Sequence, residues 1–471
     1  MPHLLTWRGR IFWLLVGAIG FHVAYLFPAC AFLIAVYCFA LWKLSWQRSR
    51  FQAMNTGWAL AFLVYAPHLA FFWRIFGAAA IGLWLLLGFW LGLFLALVRF
   101  AREKWGNVVA VLLAPLLWTG LEYFRSELYY FRFSWLNVGY AFSWSSGLPM
   151  FAWLGVYGIG FVLMAAAASI SRLPARRGLF TGLIALGVLA GLANLPRASS
   201  EAPGGRELRV AGMQLEFPVE LEVPALLDRL AERYPDADLC VLSEYTFQDT
   251  VPKQVKDWCR KRQKYLLVGG KEPLKGEQFY NMAYVIDPNG EIVFQQVKAQ
   301  PIQFFKDGLP APQQRLWNSP WGRLGICICY DLSYAFVRDK LARQGAQAIL
   351  APTMDVEEWG EYQHRLHARI APMRAAEYRI PIFRLASSGI SQIVGRSGDA
   401  TQTGRFPGRG EMIAGTLQLS SAARLPVDRR LAWPCIAVVG AIAVWAFWLA
   451  LWDRNKVCVP TANAGENPRG S

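Results

Sequence analysis

The chain has 471 residues, of which 55% are hydrophobic, and it contains 21 Trp and 30 Phe. Soluble globular proteins average roughly 45–50% apolar residues, so this composition excludes a protein whose only apolar region is an ordinary soluble core. The formal net charge of +16 does not indicate a nucleic-acid-binding protein, because much of the excess positive charge lies in short segments between apolar runs. Cations in such segments set the topology of membrane proteins and contact anionic lipid.

Long apolar runs predict a membrane bundle over residues 1–195 and one further helix near the C-terminus. A membrane-spanning helix needs roughly 20 mostly apolar residues. By that measure about seven spans precede residue 196, and the eighth is the final helix. The expected spans lie near 11–27, 29–43, 55–73, 76–98, 107–124, 151–170, 179–195 and 431–452.

The distribution of cations predicts the orientation of these spans. Clusters of Arg and Lys lie before span one and after spans two, four, six and eight, whereas the opposite connections carry few cations. Cytoplasmic loops carry an excess of Lys and Arg, so both termini are expected in the cytoplasm and residues 196–430 outside it.

The region between the two apolar parts has the pattern of a soluble domain. Residues 196–206 are rich in Pro, Gly and Ser and predict a linker. Residues 207–430 alternate strand-type and helix-type stretches, which indicates a layered α/β domain. Residues 453–471 are polar and predict a cytoplasmic tail.

Three polar residues follow apolar strands in this domain. Glu244 lies near the end of CVLSEY, Lys298 follows IVFQQV, and Cys329 ends GICIC. Reacting side chains often gather at strand ends in layered α/β domains. A carboxylate that takes a thiol proton, a thiol that attacks a carbonyl and a cation that stabilises the oxyanion suffice for acyl transfer.

Each of these residues also has a simpler interpretation. A Glu or Lys at a strand end is usually a solvated surface charge, and a Cys in an apolar strand is usually a small core residue. Strand alternation would place Cys327 and Cys329 on the same face. The position of Cys329 at the strand exit, beside a polar turn, favours it as the nucleophile over Cys327.

Several motifs resemble those of a known family. SEYT around Glu244, K-x-x-P from Lys298 and ICYD around Cys329 resemble the Glu-Lys-Cys signatures of the nitrilase, or carbon–nitrogen hydrolase, superfamily. With the stretches WTGLEYFRS, SWLNVGY and GVYGIGF, and with 367–391, the whole chain resembles the membrane-embedded apolipoprotein N-acyltransferase family. The resemblance implies a multi-pass helical bundle with a nitrilase-like αββα sandwich domain, placed in the bacterial inner membrane with the catalytic domain in the periplasm.

The resemblance also implies a function and its partners. A phospholipid would donate a fatty acyl chain to Cys329, and the N-terminal amine of a lipoprotein with a lipidated N-terminal Cys would accept it. Glu244 would act as the base, and Lys298 with the backbone N–H after Cys329 would stabilise the oxyanion. No cofactor and no nucleic acid are expected, and the eight cysteines form no C-x-x-C pair and no metal-type spacing with histidine, so no metal is expected either. Residues expected around the triad are Tyr330, Asp331 and Asp307, and the substrate-contacting or lid residues are expected to be Phe304, Phe305 and Trp359.

The chain departs from the family pattern around these three residues. A Glu expected after the lysine motif is replaced by QFFKDG, where Lys306 lies in or next to the slot and Asp307 is the only acid. Asp331 stands where the family has Glu, Gln214-Leu215-Glu216 replaces Q-G-N, and the N-D-x-W stretch becomes Thr353-Met354-Asp355 with Trp359 displaced. A changed acyl donor or acceptor would produce such substitutions around the three residues, and neutral sequence divergence would produce them as well.

Two alternatives to lipoprotein acylation stay open, and the changed residues around the three predicted catalytic residues favour the first. The first is a membrane-anchored acyltransferase or amidase acting on another amine or amide. The second is a non-catalytic lipid-binding or transport protein, which the absence of a buried charge series in the spans disfavours. His364 and His367, three residues apart on a predicted helix, suggest packing or hydrogen bonding rather than metal binding, because no third ligand is near in sequence.

Overall fold

The computed structural model describes residues 4–196, 205–419 and 421–457. The predicted linker therefore lies mostly outside the described residues, and so does most of the predicted tail. The first strand begins at Arg206, inside the predicted linker, and the last helix continues to Val457.

The apolar part of the chain is helical. Short 3₁₀ segments join some of the helices, and one of them, Pro28–Leu33, leads directly into the second helix. The helices of this bundle are α1 (Trp7–Leu26), α2 (Ile34–Leu44), α3 (Arg50–His68), α4 (Phe71–Phe76), α5 (Ala79–Tyr123), α6 (Leu148–Ala152), α7 (Val156–Ile170), α8 (Ala175–Ala193) and, after the sheet domain, α14 (Asp428–Val457).

Helix α5 is a hairpin of two helices rather than one rod. Gly106 interrupts it with φ +80° and ψ 177°, a conformation that glycine adopts without steric cost. The rings of Phe94 and Trp118 lie 5.2 Å apart, although a straight helix would separate them by about 36 Å. The two halves correspond to the segments 76–98 and 107–124 expected from the sequence.

Every predicted span coincides with helical structure, but the helices differ in length. Among the described residues, four helices are long and apolar enough to cross a membrane by length and composition: Trp7–Leu26, Ala79–Leu128, Ala175–Ala193 and Asp428–Trp452. The apolar helices Pro28–Leu44 and Val156–Ile170 are shorter. The number of spans therefore stays a prediction.

The domain between α8 and α14 contains two six-stranded sheets. The strands are β1 (Arg206–Met213), β2 (Leu239–Val241), β3 (Tyr265–Pro273), β4 (Phe279–Ile286), β5 (Ile292–Val297), β6 (Leu316–Asn318), β7 (Arg323–Ile326), β8 (Ala348–Thr353), β9 (Ile382–Ala386), β10 (Gln392–Val394), β11 (Ala400–Thr403) and β12 (Met412–Leu419). The first sheet has the order β12-β1-β2-β3-β4-β5, and the second has the order β11-β10-β9-β8-β7-β6. The helices are α9 (Val223–Arg233), α10 (Lys253–Arg262), α11 (Ala335–Arg343), α12 (Glu361–Ala368) and α13 (Ile370–Tyr378).

The two sheets pack face to face, with helices on the outer faces. Gly212 in β1 approaches Phe383 and Leu385 in β9 so closely that a Cβ at Gly212 would lie 2.7 Å from Leu385 Cδ1. The other face of the first sheet is buried under α9 and α10, where Leu227 and Trp258 join its apolar core. The arrangement is the αββα sandwich that the resemblance to the nitrilase superfamily implied.

Candidate active site

The three predicted catalytic residues come from the ends of strands in both sheets. Glu244 lies three residues after β2, and Lys298 follows β5 directly. The strand β7 ends at Ile326, so strand alternation does not extend to Cys329, which begins a 3₁₀ turn. The expectation that Cys327 and Cys329 share one strand face is therefore wrong.

Cys329 has a left-handed backbone conformation, with φ +51°. Such conformations cost on the order of 1–3 kcal/mol for a residue with a side chain and concentrate at functional sites. The turn places Cys329 in the wall of a cavity, whereas Cys327 lies in the apolar core.

A buried ion cluster lies beside this turn. The Lys298 ammonium donates to Glu244 Oε1 at 2.8 Å and to Asp307 Oδ2 at 2.7 Å, and all three side chains are 5% exposed or less. Asn281 Nδ2 donates to the same two acids, at 2.6 Å to Glu244 and 2.9 Å to Asp307. Asp307 is thus the acid that holds the lysine, while Lys306 lies at the surface and pairs with Glu277.

Met354 connects Glu244 with Cys329. Its backbone N–H donates to Glu244 Oε2 at 2.7 Å, and its carbonyl oxygen lies 3.6 Å from Cys329 Sγ as the acceptor of the thiol. The carboxylate and the thiol therefore contact the two ends of one residue. The structure brings all three predicted catalytic residues together.

Burial and neighbouring charges determine the proton positions in the cluster. Burial and the negative charge of Glu244 raise the pKa of the Cys329 thiol well above its ordinary value, so the resting thiol carries its proton. Burial would lower the pKa of Lys298, but Asp307 and Glu244 outweigh burial and hold this pKa well above its ordinary value. Burial raises the pKa of Glu244, and the Lys298 ammonium opposes that shift.

Asp331 joins the lysine segment to the cysteine turn. Its fully buried carboxylate accepts from the backbone N–H groups of Ala299 at 3.0 Å, Gln300 at 2.7 Å and Ile328 at 3.2 Å. Asp331 therefore fixes the spacing of Lys298 and Cys329 without facing the cavity.

The cavity beside Cys329 has a volume of about 110 Å³ and lies between the sheet domain and the bundle. Cys329 lines it, whereas Glu244 and Lys298 do not belong to its lining. Most of its lining is apolar or aromatic. From the bundle it is lined by Phe71, Phe72, Ile75 and Phe76 of α4 and by Leu83, Leu86 and Leu87 of α5.

The predicted substrate or lid residues all line this cavity. Phe304, Phe305 and Trp359 belong to its wall, and so does Tyr330. Phe304 stacks on Phe131 with ring centroids 5.4 Å apart, and its side chain is 65% exposed.

Gln363 and His367 are two polar cavity residues that were not predicted as site residues. Gln363 and His367 line the cavity from α12 and hydrogen-bond to Asp355, which also pairs with Arg384. The sequence analysis assigned His367 a packing or hydrogen-bonding role. The available signal was the i, i+4 spacing of Gln363 and His367, which places both on one helix face.

No cluster of three or more potential metal ligands occurs within the described residues. The two nitrogens of His364 hydrogen-bond to protein, with Nδ1 2.9 Å from the Gly360 carbonyl oxygen and Nε2 3.2 Å from the Asp355 carbonyl oxygen.

Comparison with known proteins agrees with both parts of the chain. Residues 229–424 match the carbon–nitrogen hydrolase family, and residues 12–169 match the apolipoprotein N-acyltransferase N-terminal domain. The chain is similar to proteins named apolipoprotein N-acyltransferase from Geobacter metallireducens (24% identity, covering 74% of this chain and 76% of the relative) and Rickettsia prowazekii (27% identity, covering 69% and 73%).

Solved structures similar to the chain include two nitrilase-type proteins. One is a nitrilase superfamily member from Saccharomyces cerevisiae, with 18% identity and a TM-score of 0.40, over 47% of this chain and 93% of that one. The other is a carbon–nitrogen hydrolase from Helicobacter pylori, with 18% identity and a TM-score of 0.40, over 45% and 90%.

The double-sheet domain and the apolar helices define the class of protein: a carbon–nitrogen hydrolase domain carried by a membrane protein. The matches to both of its parts identify the family more narrowly. The chain belongs to the apolipoprotein N-acyltransferase family.

Proposed function

We propose that this protein transfers a fatty acyl chain from a membrane phospholipid to the N-terminal amine of a lipoprotein whose N-terminal Cys is lipidated. One observation supports the proposal most directly. Cys329 lies in the wall of a cavity whose opposite side consists of apolar bundle helices, and the buried Glu244–Lys298 pair lies close to it. An acyl chain that stays beside these helices avoids exposure to water, which costs roughly 0.8 kcal/mol per CH₂.

The first half-reaction forms a thioester on Cys329. Glu244 takes the thiol proton as the sulfur attacks the ester carbonyl of the phospholipid. When the tetrahedral intermediate collapses, the carbon–oxygen bond breaks and Glu244 returns the proton to the glycerol oxygen. A lysophospholipid leaves, and the acyl chain remains on the sulfur.

Stabilisation of the oxyanion falls to Lys298 and to the backbone N–H after Cys329, that of Tyr330. The elevated pKa of Lys298 keeps its ammonium charged throughout the reaction. A fixed cation in a water-poor site stabilises developing negative charge more strongly than it would in water.

The second half-reaction passes the acyl chain to the amine. The amine nitrogen attacks the thioester carbonyl, a carbon–nitrogen bond forms and the carbon–sulfur bond breaks. Glu244 takes one amine proton and delivers it to the thiolate, which regenerates the thiol. An acceptor that arrives as an ammonium first releases one proton to water.

The proposed setting is the bacterial inner membrane. The bundle 1–195 with about seven spans and the final span 431–452 would hold the catalytic domain 207–430 on the periplasmic side, with both termini and the tail 453–471 in the cytoplasm. The excess of Lys and Arg on one side of the predicted spans supports this orientation.

Thioester trapping on the purified full-length protein tests the nucleophile. Incubation with phosphatidylethanolamine carrying a labelled acyl chain should label the unaltered protein in a hydroxylamine-sensitive way. Cys329→Ala should abolish the label, and Cys327→Ala, the matched buried control, should retain it. Equal labelling of the two variants would show that Cys329 is not the nucleophile.

Mass spectrometry of lipoproteins tests the acceptor. Cells that lack the gene should accumulate lipoproteins with a free N-terminal amine. Unchanged N-acylation in those cells, together with a normal thioester on the purified protein, would indicate an acyltransferase or amidase acting on another amine or amide.

A further inference from the structure

Two buried polar atoms without a hydrogen-bond partner belong to side chains that line the cavity beside Cys329. They are Gln363 Oε1 and His367 Nε2, on side chains that are 2% and 1% exposed. A buried polar atom without a partner is costly, so such atoms in a cavity indicate a site for a ligand that supplies donors.

Asp355 fixes which atoms of these two side chains are acceptors. Its Oδ1 accepts from Gln363 Nε2 at 3.1 Å and from His367 Nδ1 at 2.8 Å. Because a carboxylate only accepts hydrogen bonds, the amide nitrogen must face Asp355 and the imidazole proton must lie on Nδ1. Arg384 Nη2 also lies 3.1 Å from His367 Nδ1, but the Asp355 carboxylate is closer, at 2.8 Å, and we assign the imidazole proton to Nδ1 on that contact. This assignment leaves Gln363 Oε1 and His367 Nε2 as acceptors.

The wall that carries these atoms is held in place from several sides. Arg384 pairs with the other oxygen of Asp355, and the Trp135 ring stacks on the imidazole at 4.7 Å between centroids. Burial lowers the pKa of His367 below its ordinary value, although Asp355 opposes the shift, so the imidazole is neutral at neutral pH.

The part of the wall formed by Asp355 and its two partners is connected along the chain to a residue that contacts the reacting sulfur. Asp355 directly follows Met354, whose carbonyl oxygen accepts the Cys329 thiol. Two acceptors on side chains that share the Asp355 Oδ1 partner suit a group with several N–H donors, which describes a primary amine. They do not suit an ester or a phosphate, which only accept hydrogen bonds.

We propose that Gln363 Oε1 and His367 Nε2 bind the primary amine of the acyl acceptor and hold it against the Cys329 thioester. The inference rests on the proposed function and assigns its amine site. Hydrogen bonds from the amine N–H groups to these two atoms direct its nitrogen lone pair toward the thioester carbonyl.

A phospholipid headgroup could also supply an amine, but the geometry favours the acceptor. The headgroup amine is separated from the reacting ester by the whole glycerophosphate, whereas the attacking amine must contact the carbon bound to Sγ. A site next to that sulfur therefore fits the attacking amine.

The test separates the two half-reactions on detergent-purified full-length protein. The variants are His367→Phe, which keeps a ring against Trp135, and Gln363→Met, which keeps the side-chain length. His367→Gln restores an acceptor as the conservative variant. Gln392→Met is the matched control, since Gln392 is a buried glutamine of β10 that does not line the cavity.

Thioester formation is measured with labelled phosphatidylethanolamine, and the thioester is then chased with a synthetic diacylglyceryl-cysteinyl peptide. We expect His367→Phe and Gln363→Met to form the thioester within twofold of the unaltered rate. We expect the second-order rate constant of the chase to fall at least tenfold in each, with partial recovery in His367→Gln and no change in Gln392→Met. Normal thioester formation in the same samples shows that the variants are folded.

Two results would overturn the inference. One is an unchanged chase rate in His367→Phe and Gln363→Met, which would indicate that bound water rather than the amine donates to the two acceptors. The other is slower thioester formation from phosphatidylethanolamine but not from phosphatidylglycerol, which would assign the pair to the donor headgroup.

Failure of the proposed function would look different. The unaltered protein would form the thioester and not pass it to the peptide. The chase would then be repeated with small primary amines, and equal rates in variants and unaltered protein would overturn the amine site as well.

Discussion

At the scale of single residues, the sequence predicted the three proposed catalytic residues and several residues around them, but not Gln363. Glu244, Lys298 and Cys329 each end or follow an apolar strand, but that local signal also fits surface charges and a core thiol, so the resemblance to the nitrilase motifs was needed to select them. Gln363 and His367 acquire their role from Asp355, whose side chain they contact only in the folded domain. No local pattern shows which buried side chains share a partner.

Asp307 carries the first residue-scale prediction. Asp307→Asn keeps the shape of the side chain but removes one of the two carboxylates that bind the Lys298 ammonium. A hydrogen bond to a charged group contributes roughly 1.5–3 kcal/mol, so the rate of thioester formation should fall about 10- to 100-fold. Single-turnover release of lysophospholipid measures this rate.

The matched control for that substitution is the neighbouring exposed lysine. Lys306→Ala removes only a surface pair with Glu277, and such pairs contribute little. A loss of activity in Lys306→Ala equal to that in Asp307→Asn would contradict the assignment of Asp307 to the ion cluster.

The pH dependence of thioester formation is a second residue-scale prediction. Burial raises the pKa of Glu244, Lys298 lowers it, and Asp307 raises it further. Glu244 must be ionised to take the thiol proton, so the rate should fall as the pH drops through this raised pKa. Asp307→Asn removes a charge that raises the pKa, and the acid limb of its pH–rate profile should shift to lower pH. A shift to higher pH would contradict the arrangement.

At the scale of elements, sequence pattern rather than length decided which strands could be predicted. The stretches CVLSEY, IVFQQV and GICIC predict β2, β5 and β7, although β2 has only three residues. Strands β6 and β10 have three residues each and form only because neighbouring strands supply hydrogen-bond partners. The strand before Cys329 ends earlier than the sequence predicted, at Ile326, because the apolar run GICIC continues beyond the last paired residue.

Asp331 should stabilise both the segment after β5 and the turn at Cys329. Asp331→Ala leaves three backbone N–H groups without their acceptor, and each such buried donor costs about 1–3 kcal/mol. We expect a lower melting temperature and faster hydrogen exchange at Ala299 and Gln300. Asp331→Asn keeps one acceptor oxygen, so its melting temperature and exchange rates should lie between those of Asp331→Ala and the unaltered protein. Unchanged hydrogen exchange at Ala299 and Gln300 in Asp331→Ala would contradict this role of Asp331.

The packing of α3 on α5 gives a further element-scale prediction. A Cβ on Gly57 would lie 2.5 Å from the Gly92 Cα, so Gly57→Ala must push the two helices apart. Since α5 and the adjoining α4 line the cavity, both thermal stability and acyl transfer should decrease. Gly82→Ala is the matched control in α5, because a Cβ there meets nothing within 4 Å. Equal effects of the two substitutions would contradict the packing argument.

At the scale of the whole molecule, buried acids dock the sheet domain on the bundle. Glu377 of α13 accepts from the Val156 N–H at 2.6 Å, and Glu127 accepts from the Ala335 N–H at 2.8 Å. These contacts place the cysteine turn against α4 and α5. Composition predicted a bundle and a domain, but not this interface, because its partners lie about 200 or more residues apart in sequence.

The membrane orientation can be tested on the full chain. Lys275 lies in the β3–β4 turn and Lys104 lies beside the bend of α5 at Gly106, and both are exposed. If the cationic segments face the cytoplasm, a membrane-impermeant maleimide should label Lys275→Cys in intact spheroplasts and should label Lys104→Cys only after permeabilisation. Cys30→Ser and Cys458→Ser provide the background, since Cys30 is half-buried and the other free cysteines of the described residues are buried. Labelling of Lys104→Cys in intact spheroplasts would place the α5 bend outside and reverse the proposed orientation.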